Sequence, residues 1–581
     1  MDARKRPRRS AGMGYFTILL IILIIIAAAG VFVSKRFAPS KTRADLMEYY
    51  NLTAYERLGR DAAGSDELAI VINDTILDEE NTEKFRAVRS GDDVYVEISI
   101  IQSNIDERFY LDSNEGLVIF TNAVGSVIAP VDSSVYTEEG QEHDAGYVIA
   151  RQINGSIYLN MKFVDEHSAA SYQVLEDPAR VYIRMGAGTA EYATVSSNTK
   201  MRLSSSKKSS IVADISKGER LKVLSIDDGW YKAINEQGFL GYVPESALGE
   251  ITTQELTSDY SEPEYTHILE DGNISMAWHG IYYYDSNQYI ADYTYNMKGI
   301  NILAPTWFLF ADPYGDILSY ASPDYVNYAH ENGWKVWAVL EDMDAESSSE
   351  ILPYTSRRQT AIGQIINECL AYGIDGINVD IELITASEGR DFIQFIRELS
   401  VACRRNQLVL SVDDYTPYSY NAYRHTAEQS RICDYVAIMA YDDYVGGNVA
   451  GPNSGLPFLE EVLGVCQDVV DMDRLIIGLP FYSRLWYQHS DGTVGRDTSD
   501  MNNIEEVTLN HGLTYNWLAD VGYDYAEYEE EDTTVRIWYE NVNSLEAKLN
   551  LLSKYNIAGV SYWRLGQETS NVWDVLSQYY Q

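Results

Sequence analysis

From residue 267 to 581 the sequence predicts an α/β fold, in which eight parallel strands alternate with helices and close into a barrel. Three observations predict it. Eight short runs rich in Val, Ile and Leu occur at 274–278, 299–305, 335–340, 376–382, 408–413, 435–441, 475–480 and 559–563. Stretches with helical apolar spacing lie between many of them, at 323–332, 459–470 and 544–555. The length suits a (β/α)8, or TIM, barrel with a small insertion between strands 7 and 8. That insertion, 482–543, is rich in Trp, Tyr and acidic residues, reads as a strand at 535–539, and is expected to form one wall of a cleft.

Two small β-rich domains and one N-terminal transmembrane helix are expected ahead of the barrel. Residues 1–12 form a basic tail with Arg4, Lys5, Arg6, Arg8 and Arg9, and 13–33 is almost wholly apolar. That length suffices to cross a bilayer. The stronger positive cluster precedes it, which places the tail in the cytoplasm and the remainder outside, as a single-pass protein of the cell membrane. Ala27-Ala28-Ala29 also fits a cleavage site, but the apolar run continues through Val33, which favours an uncleaved anchor. A polar linker, 34–65, follows. Strand-like runs at 68–75, 93–98, 116–120, 146–150 and 180–184 mark a β-rich module over 66–188, with 158–163 leading into a short helix. Residues 191–250 carry short strands at regular spacing with Gly turns, including Asp228-Gly229-Trp230-Tyr231 and Gly241-Tyr242-Val243. An acidic linker, 251–266, leads to the barrel domain, 267–581.

The formal net charge is −43, which excludes a nucleic-acid partner, since that needs a basic face. It also leaves any binding to polyanionic wall polymers local and specific. The 46 tyrosines fit both β-rich structure and sugar-stacking platforms. The four cysteines, Cys369, Cys403, Cys433 and Cys466, lack Cys-x-x-Cys spacing and read as buried free thiols. Histidines are few and scattered, so no metal site is expected.

The candidate site centres on 373–382. Period two puts Ile377, Val379 and Ile381 on one face and Asn378, Asp380 and Glu382 on the other. Helical patterns on both sides (Ile362, Ile365, Ile366 and Cys369 before, 389–403 after) predict a parallel strand covered on both faces. Two carboxylates on such a strand are costly unless they line a site. Other chemistry-capable residues fall at the C-terminal ends of strands, where barrel sites form: Asp413 and Asp414, Tyr441 and Asp442, Tyr482 and Arg484, and Trp563.

This stretch resembles the Asp-Gly-x-Asp-x-Asp-x-Glu signature of glycoside hydrolase family 18, the chitinases and related N-acetylglucosaminidases. Asp375, Gly376, Asp380 and Glu382 match; Asn378 replaces one Asp, as in a branch of spore-cortex and cell-wall enzymes. Met439-Ala440-Tyr441-Asp442, the run 478–482, and Trp563 with Leu565-Gly566 resemble the sixth-, seventh- and eighth-strand motifs. Ala277-Trp278-His279 and Pro305-Thr306-Trp307-Phe308 resemble the wall-enzyme branch. The resemblance implies a retaining, substrate-assisted glycosidase with no metal or cofactor. Glu382 would protonate the glycosidic oxygen and then activate water. Asp380 would hold the acetamido N–H, and Tyr441 the acetamido oxygen. Asp442, Trp563, Met439, Asn378, Tyr482 and Asp413 complete the expected substrate-binding set. The Asp380–Glu382 spacing should push one carboxyl pKa up and keep Glu382 protonated when needed, and Asn378 should shift the pH profile from the three-carboxylate pattern.

Residues 66–188 resemble the β module named after the N-terminal domain of copper amine oxidases, without a copper-ligand cluster. Residues 191–250 resemble bacterial Src-homology-3-like domains, which implies a wall role. Anchor and module together favour peptidoglycan over chitin as the N-acetylated glycan partner. The competing reading is a non-catalytic sugar-binding or scaffold protein on the same barrel, which has no use for Glu382.

Overall fold

The computed structural model describes residues 12–50, 52, 67–77, 87–186, 188–342, 345–444 and 449–579. The chain divides into two compact units. One comprises residues up to 107 together with 146–262; the other comprises 108–145 together with 263–581.

In the second unit eight parallel strands form the barrel: β1 (Ile274–His279), β2 (Ile302–Phe310), β3 (Lys335–Glu341), β4 (Gly376–Asp380), β5 (Val409–Asp414), β6 (Tyr435–Met439), β7 (Leu475–Pro480) and β8 (Gly559–Trp563). Each pairs with its sequence neighbours, and β1 pairs with both β2 and β8, which closes the sheet. Short Ile317–Ser319 adds antiparallel to β2. The eight expected strands are all present with small shifts at their ends. Gly376 tolerates no side chain: a Cβ there would lie 2.7 Å from Trp337 and 2.9 Å from Val409.

The alternation read from β4 corresponds to two separate cores. Ile377, Val379 and Ile381 pack outward with the helices α1 (Thr355–Tyr372) and α2 (Gly389–Arg405), among them Ile362, Ile365, Phe392 and Phe395. Inside the barrel, Met276, Trp278, Ala304, Trp337, Val339 and Ala437 fill the lumen. Helix α1 ends at Gly373, whose φ of +73° forms the left-handed cap that its lack of Cβ permits. All four cysteines are free and buried.

Between β7 and β8 the chain builds a five-stranded antiparallel sheet and two helices, Met501–His511 and Val542–Leu552. Its strands include Tyr482–His489 and Thr533–Tyr539, and a small core of Leu485, Ile504, Val535 and Ile537 holds it together.

A second sheet of this unit comes from far upstream. Five antiparallel strands between Phe109 and Asp144 form it, inside the stretch that the sequence assigns to one 66–188 module. It seats on α1 and α2. Tyr354, at the N-cap of α1, makes no capping bond through its side chain. Asp112 Oδ2 instead accepts from the Thr355 backbone N–H and hydroxyl, both at 2.7 Å. A carboxylate there also suits the positive end of the helix dipole. Tyr110 donates to Asp391 at 2.6 Å, and Gln394 to Thr121 at 2.9 Å.

The first unit holds an eight-stranded mixed sheet, in which Glu67–Ile72 pairs parallel with Arg180–Met185, and a seven-stranded antiparallel sheet from Thr189 to Glu255. Three expectations need correction. The strand expected at 146–150 is mostly loop: Gly146 has φ +75°, and the Val148 carbonyl is taken by Tyr95 and Asn160 side chains instead of a ladder. The alternating run at 93–98 ends as a strand at Glu97, whose carboxylate caps the helix Ile98–Asn104. Residues 38–50, expected to be linker, bond to the seven-stranded sheet, with Ala44 N–H donating to the Ile211 carbonyl at 2.8 Å.

The expected membrane segment forms a helix, Gly12–Phe37, with exposed apolar side chains from Ile18 to Ile26. Among the described residues no helix is long and apolar enough to cross a membrane.

Candidate active site

At the C-terminal ends of the barrel strands, Asp380, Glu382, Met439, Tyr441, Asp442, Tyr482 and Trp563 line one cavity of about 470 Å³, together with Tyr415. Seven of the nine expected site residues therefore meet in a single wall. The other two, Asn378 and Asp413, lie one layer deeper and support it.

The deeper layer is a closed hydrogen-bond network. Asn378 donates from Nδ2 to Ser411 Oγ at 2.9 Å and to Asp413 Oδ1 at 2.7 Å. Trp278 donates its indole N–H to Asn378 Oδ1 at 2.9 Å and to Asp413 Oδ2 at 3.2 Å. Asn378, Ser411 and Asp413 are buried at 1% exposure or less, so each of these bonds offsets a desolvation cost. Burial pushes the Asp413 carboxyl up to about 8; the Asn378 and Trp278 donors pull against that, and the Glu382 charge adds to it.

Asp380 ends β4 with a buried Oδ1 that has no hydrogen-bond partner. Burial first, then the charges of Asp413, Glu382, Glu341 and Asp342, hold its carboxyl well above the ordinary range. Glu382 follows two residues later. Its backbone N–H donates to Asp342 Oδ1 at 3.1 Å, and its Oε2 accepts from the Tyr415 hydroxyl. Arg424 fixes the backbone behind it, donating to the Ile381 carbonyl at 3.0 Å. Asp414 anchors that arginine through an ion pair and also accepts from Thr426 at 2.6 Å. Asp414 is thus a support for the β4 terminus and does not line the cavity.

Tyr441 follows β6; burial raises its hydroxyl pKa well above the usual tyrosine range, so it is a donor at neutral pH. Asp442 sits in the left-handed region at φ +65°. Its carboxylate accepts from Tyr482 at 2.6 Å and pairs with Arg484. Both partners come from the first strand of the insertion, which thereby contributes to the cavity wall. Trp563, at the end of β8, packs edge-on to Trp278 with ring centres 5.8 Å apart.

The resolved rises in carboxyl pKa fall on Asp380, on Asp413 and on Glu341, which burial, Asp342 and Glu382 push up to about 7, and not where the Asp380–Glu382 spacing led the sequence reading to expect one. Glu341, Asp342 and Tyr415 were missed as site residues. Their signal was position: each lies at or just past the C-terminal end of a barrel strand, where side chains meet at the mouth.

A closed parallel barrel thus carries an acidic, aromatic mouth built on β4, β6 and β8. Residues 342–568 match the family model described as Glycosyl hydrolases family 18, and that match together with glycosylase relatives supports a glycosidase. The uncharacterized glycosylase YvbX of Bacillus subtilis is 22% identical over 298 residues, covering 48% of this chain and 84% of that protein. The cortical fragment-lytic enzyme of Bacillus subtilis is 24% identical over 237 residues, covering 38% of this chain and 53% of that protein; the match thus spans about half of the relative. Among solved structures, the C-terminal domain of a putative chitinase from Desulfitobacterium hafniense aligns over 54% of this chain and all of that one, with TM-score 0.48 and 20% identity. The spore cortex-lytic enzyme SleL of Bacillus megaterium aligns over 63% of this chain and 89% of that one, with TM-score 0.47 and 16% identity.

Proposed function

We propose that this chain is a membrane-anchored, extracellular glycosidase that cleaves β-1,4 bonds of an N-acetylglucosamine-containing polysaccharide, with peptidoglycan the preferred substrate. The observation that carries the reading is the convergence of Asp380, Glu382, Tyr441 and Trp563 on one cavity. Glu382 has the Tyr415 hydroxyl on one oxygen, which orients the carboxyl for proton transfer to a glycosidic oxygen. No second carboxylate is needed as nucleophile when the substrate's own acetamido oxygen attacks the anomeric carbon. Asp380, whose carboxyl lines the cavity, would accept the acetamido N–H. The Tyr441 hydroxyl then donates to the acetamido oxygen, and Trp563 offers an apolar ring face to the sugar. Glu382, left as carboxylate after the first step, takes a proton from the water that opens the cyclic intermediate, which retains the anomeric configuration.

Peptidoglycan is favoured over chitin by the cortical fragment-lytic relative and by the basic tail followed by the apolar run 13–33, which would hold the enzyme at a cell surface.

The test uses the full chain and its Glu382→Gln variant with peptidoglycan and, separately, with chitin oligosaccharides. Mass spectrometry after borohydride reduction reads which sugar carries the new reducing end. N-acetylglucosamine ends from peptidoglycan, absent with the variant, are expected. Ends from chitin alone would move the substrate, and binding to both polymers without turnover of either would make the barrel a sugar-binding module.

A further inference from the structure

Glu341 is the inward-facing carboxylate at the end of β3, and it has no place in the reaction described above. Its Cα pairs in register with that of Asp380 on the adjacent parallel strand. Parallel partners at one register position point to the same face, so both carboxyls enter the mouth of the barrel at the same level. One layer down the same two strands pair Val339 with Asn378. On β4, therefore, the residue beneath Asp380 is a neutral amide committed to Trp278, Ser411 and Asp413, with no donor left over for Asp380. The buried Oδ1 of Asp380 has no partner. An oxygen buried in that state is costly unless a donor reaches it.

Resting on the glycosidase reading of this site, we infer that Glu341 is a positioning residue that shares one proton with Asp380, and so supplies from β3 the second carboxylate that Asn378 does not supply on β4. Two carboxyls at one level of a buried mouth do not both ionise; one retained proton bridges them, and the pair titrates as a unit. The groups facing Glu341 are all consistent with retention of that proton. On its own strand end lies Asp342; from β4 come Asp380 and Glu382; Asp413 of β5 is the largest charge acting on Asp380, ahead of Glu341; and its partner on β2 is the uncharged Leu309. None of these is a cation that would stabilise both charges. Burial and the charges of Asp342 and Glu382 push the Glu341 carboxyl up to about 7, which favours retention of a proton at this end of the barrel. The bridge fixes the Asp380 carboxyl in the orientation that meets the acetamido N–H.

The full chain is compared with Glu341→Gln, Asn378→Asp and the double variant. The first readout is infrared absorption of protonated carboxyl groups between about pH 6 and 8, bracketing the Glu341 value of about 7. The second is the pH profile of kcat/KM on an N-acetylated oligosaccharide. Glu341→Gln is expected to remove the carboxyl band that the parent loses across this window and to move the profile by about one pH unit or more. The double variant should return toward the parent, because an aspartate at 378 offers Asp380 a new partner. If Glu341→Gln fails to fold, Asn378→Asp alone should add to the band. An unchanged band, or a double variant no closer to the parent than the single one, would overturn the proposal. Absence of turnover by the parent, with the band changed as described, would overturn the glycosidase reading and leave the shared proton supported.

Discussion

Asn378 donates from Nδ2 to Oδ1 of Asp413 at 2.7 Å, so the residue that departs from a three-carboxylate signature is bonded to the next carboxylate in the barrel. The amide accepts from Trp278 and donates to Asp413 and Ser411, and only a group with both functions satisfies all three partners. An aspartate there would lose the donor and place a charge against Asp413. Asn378→Asp is expected to cost about 1–3 kcal/mol of stability at neutral pH, measured by urea unfolding, and to shift the pH profile of kcat/KM. An unchanged profile would show that residue 378 does not tune the site.

The Asp413 carboxyl, raised to about 8 from 3.8, and Glu341, raised to about 7 from 4.5, make stability pH-dependent in a definite sense. Between about pH 4 and 8 the folded chain holds protons at these groups that the unfolded chain has released. Stability then falls as pH rises through that window, and the full contribution is present only below it. Thermal melts across this range should show a declining Tm, and Asp413→Asn should flatten the slope. A Tm that rises over the same interval would contradict the assignment.

Tyr415 is bonded to Glu382 Oε2 and belongs to the same cavity. A hydrogen bond to a charged group contributes about 1.5–3 kcal/mol. Tyr415→Phe should therefore lower kcat/KM about tenfold or more, with the folded structure intact by circular dichroism. An effect on KM alone would place Tyr415 in substrate binding only.

Asp112 accepts the first backbone N–H of α1 from a separate sheet. Asp112→Ala should cost about 1–2 kcal/mol in urea unfolding, the range for loss of an N-cap side chain, and Asp112→Asn should recover part of it. Equal stability of both variants and the parent would mean that water replaces the carboxylate.

The barrel was legible because its strands carry their own signal. In β4 the alternation of Ile377, Val379 and Ile381 with Asn378, Asp380 and Glu382 sorts lumen from helix-facing residues. The position of Tyr415 just past a strand end was legible, but its bond to Glu382 was not, because that depends on how two strand ends turn toward each other across the mouth. Glu341 and Asp342 close an apolar run and read locally as solvated strand ends. The capping of Thr355 by Asp112 joins residues 243 positions apart, and no local periodicity encodes it. The helix at 98–104 was missed because Asp93 to Ile98 alternates like a strand until the Glu97 carboxylate turns back to cap it.

The sheet between Phe109 and Asp144 has a consequence for the order in which the protein is made. It leaves the ribosome well before α1 and α2 exist, so Asp112, Tyr110 and Thr121 must wait in nascent chain for Thr355, Asp391 and Gln394 to be translated. A gene fragment starting at the acidic linker near residue 260 would encode every catalytic candidate and still omit the acceptor at the start of α1. Such a fragment would leave Thr355, Asp391 and Gln394 without the partners that Asp112, Tyr110 and Thr121 supply.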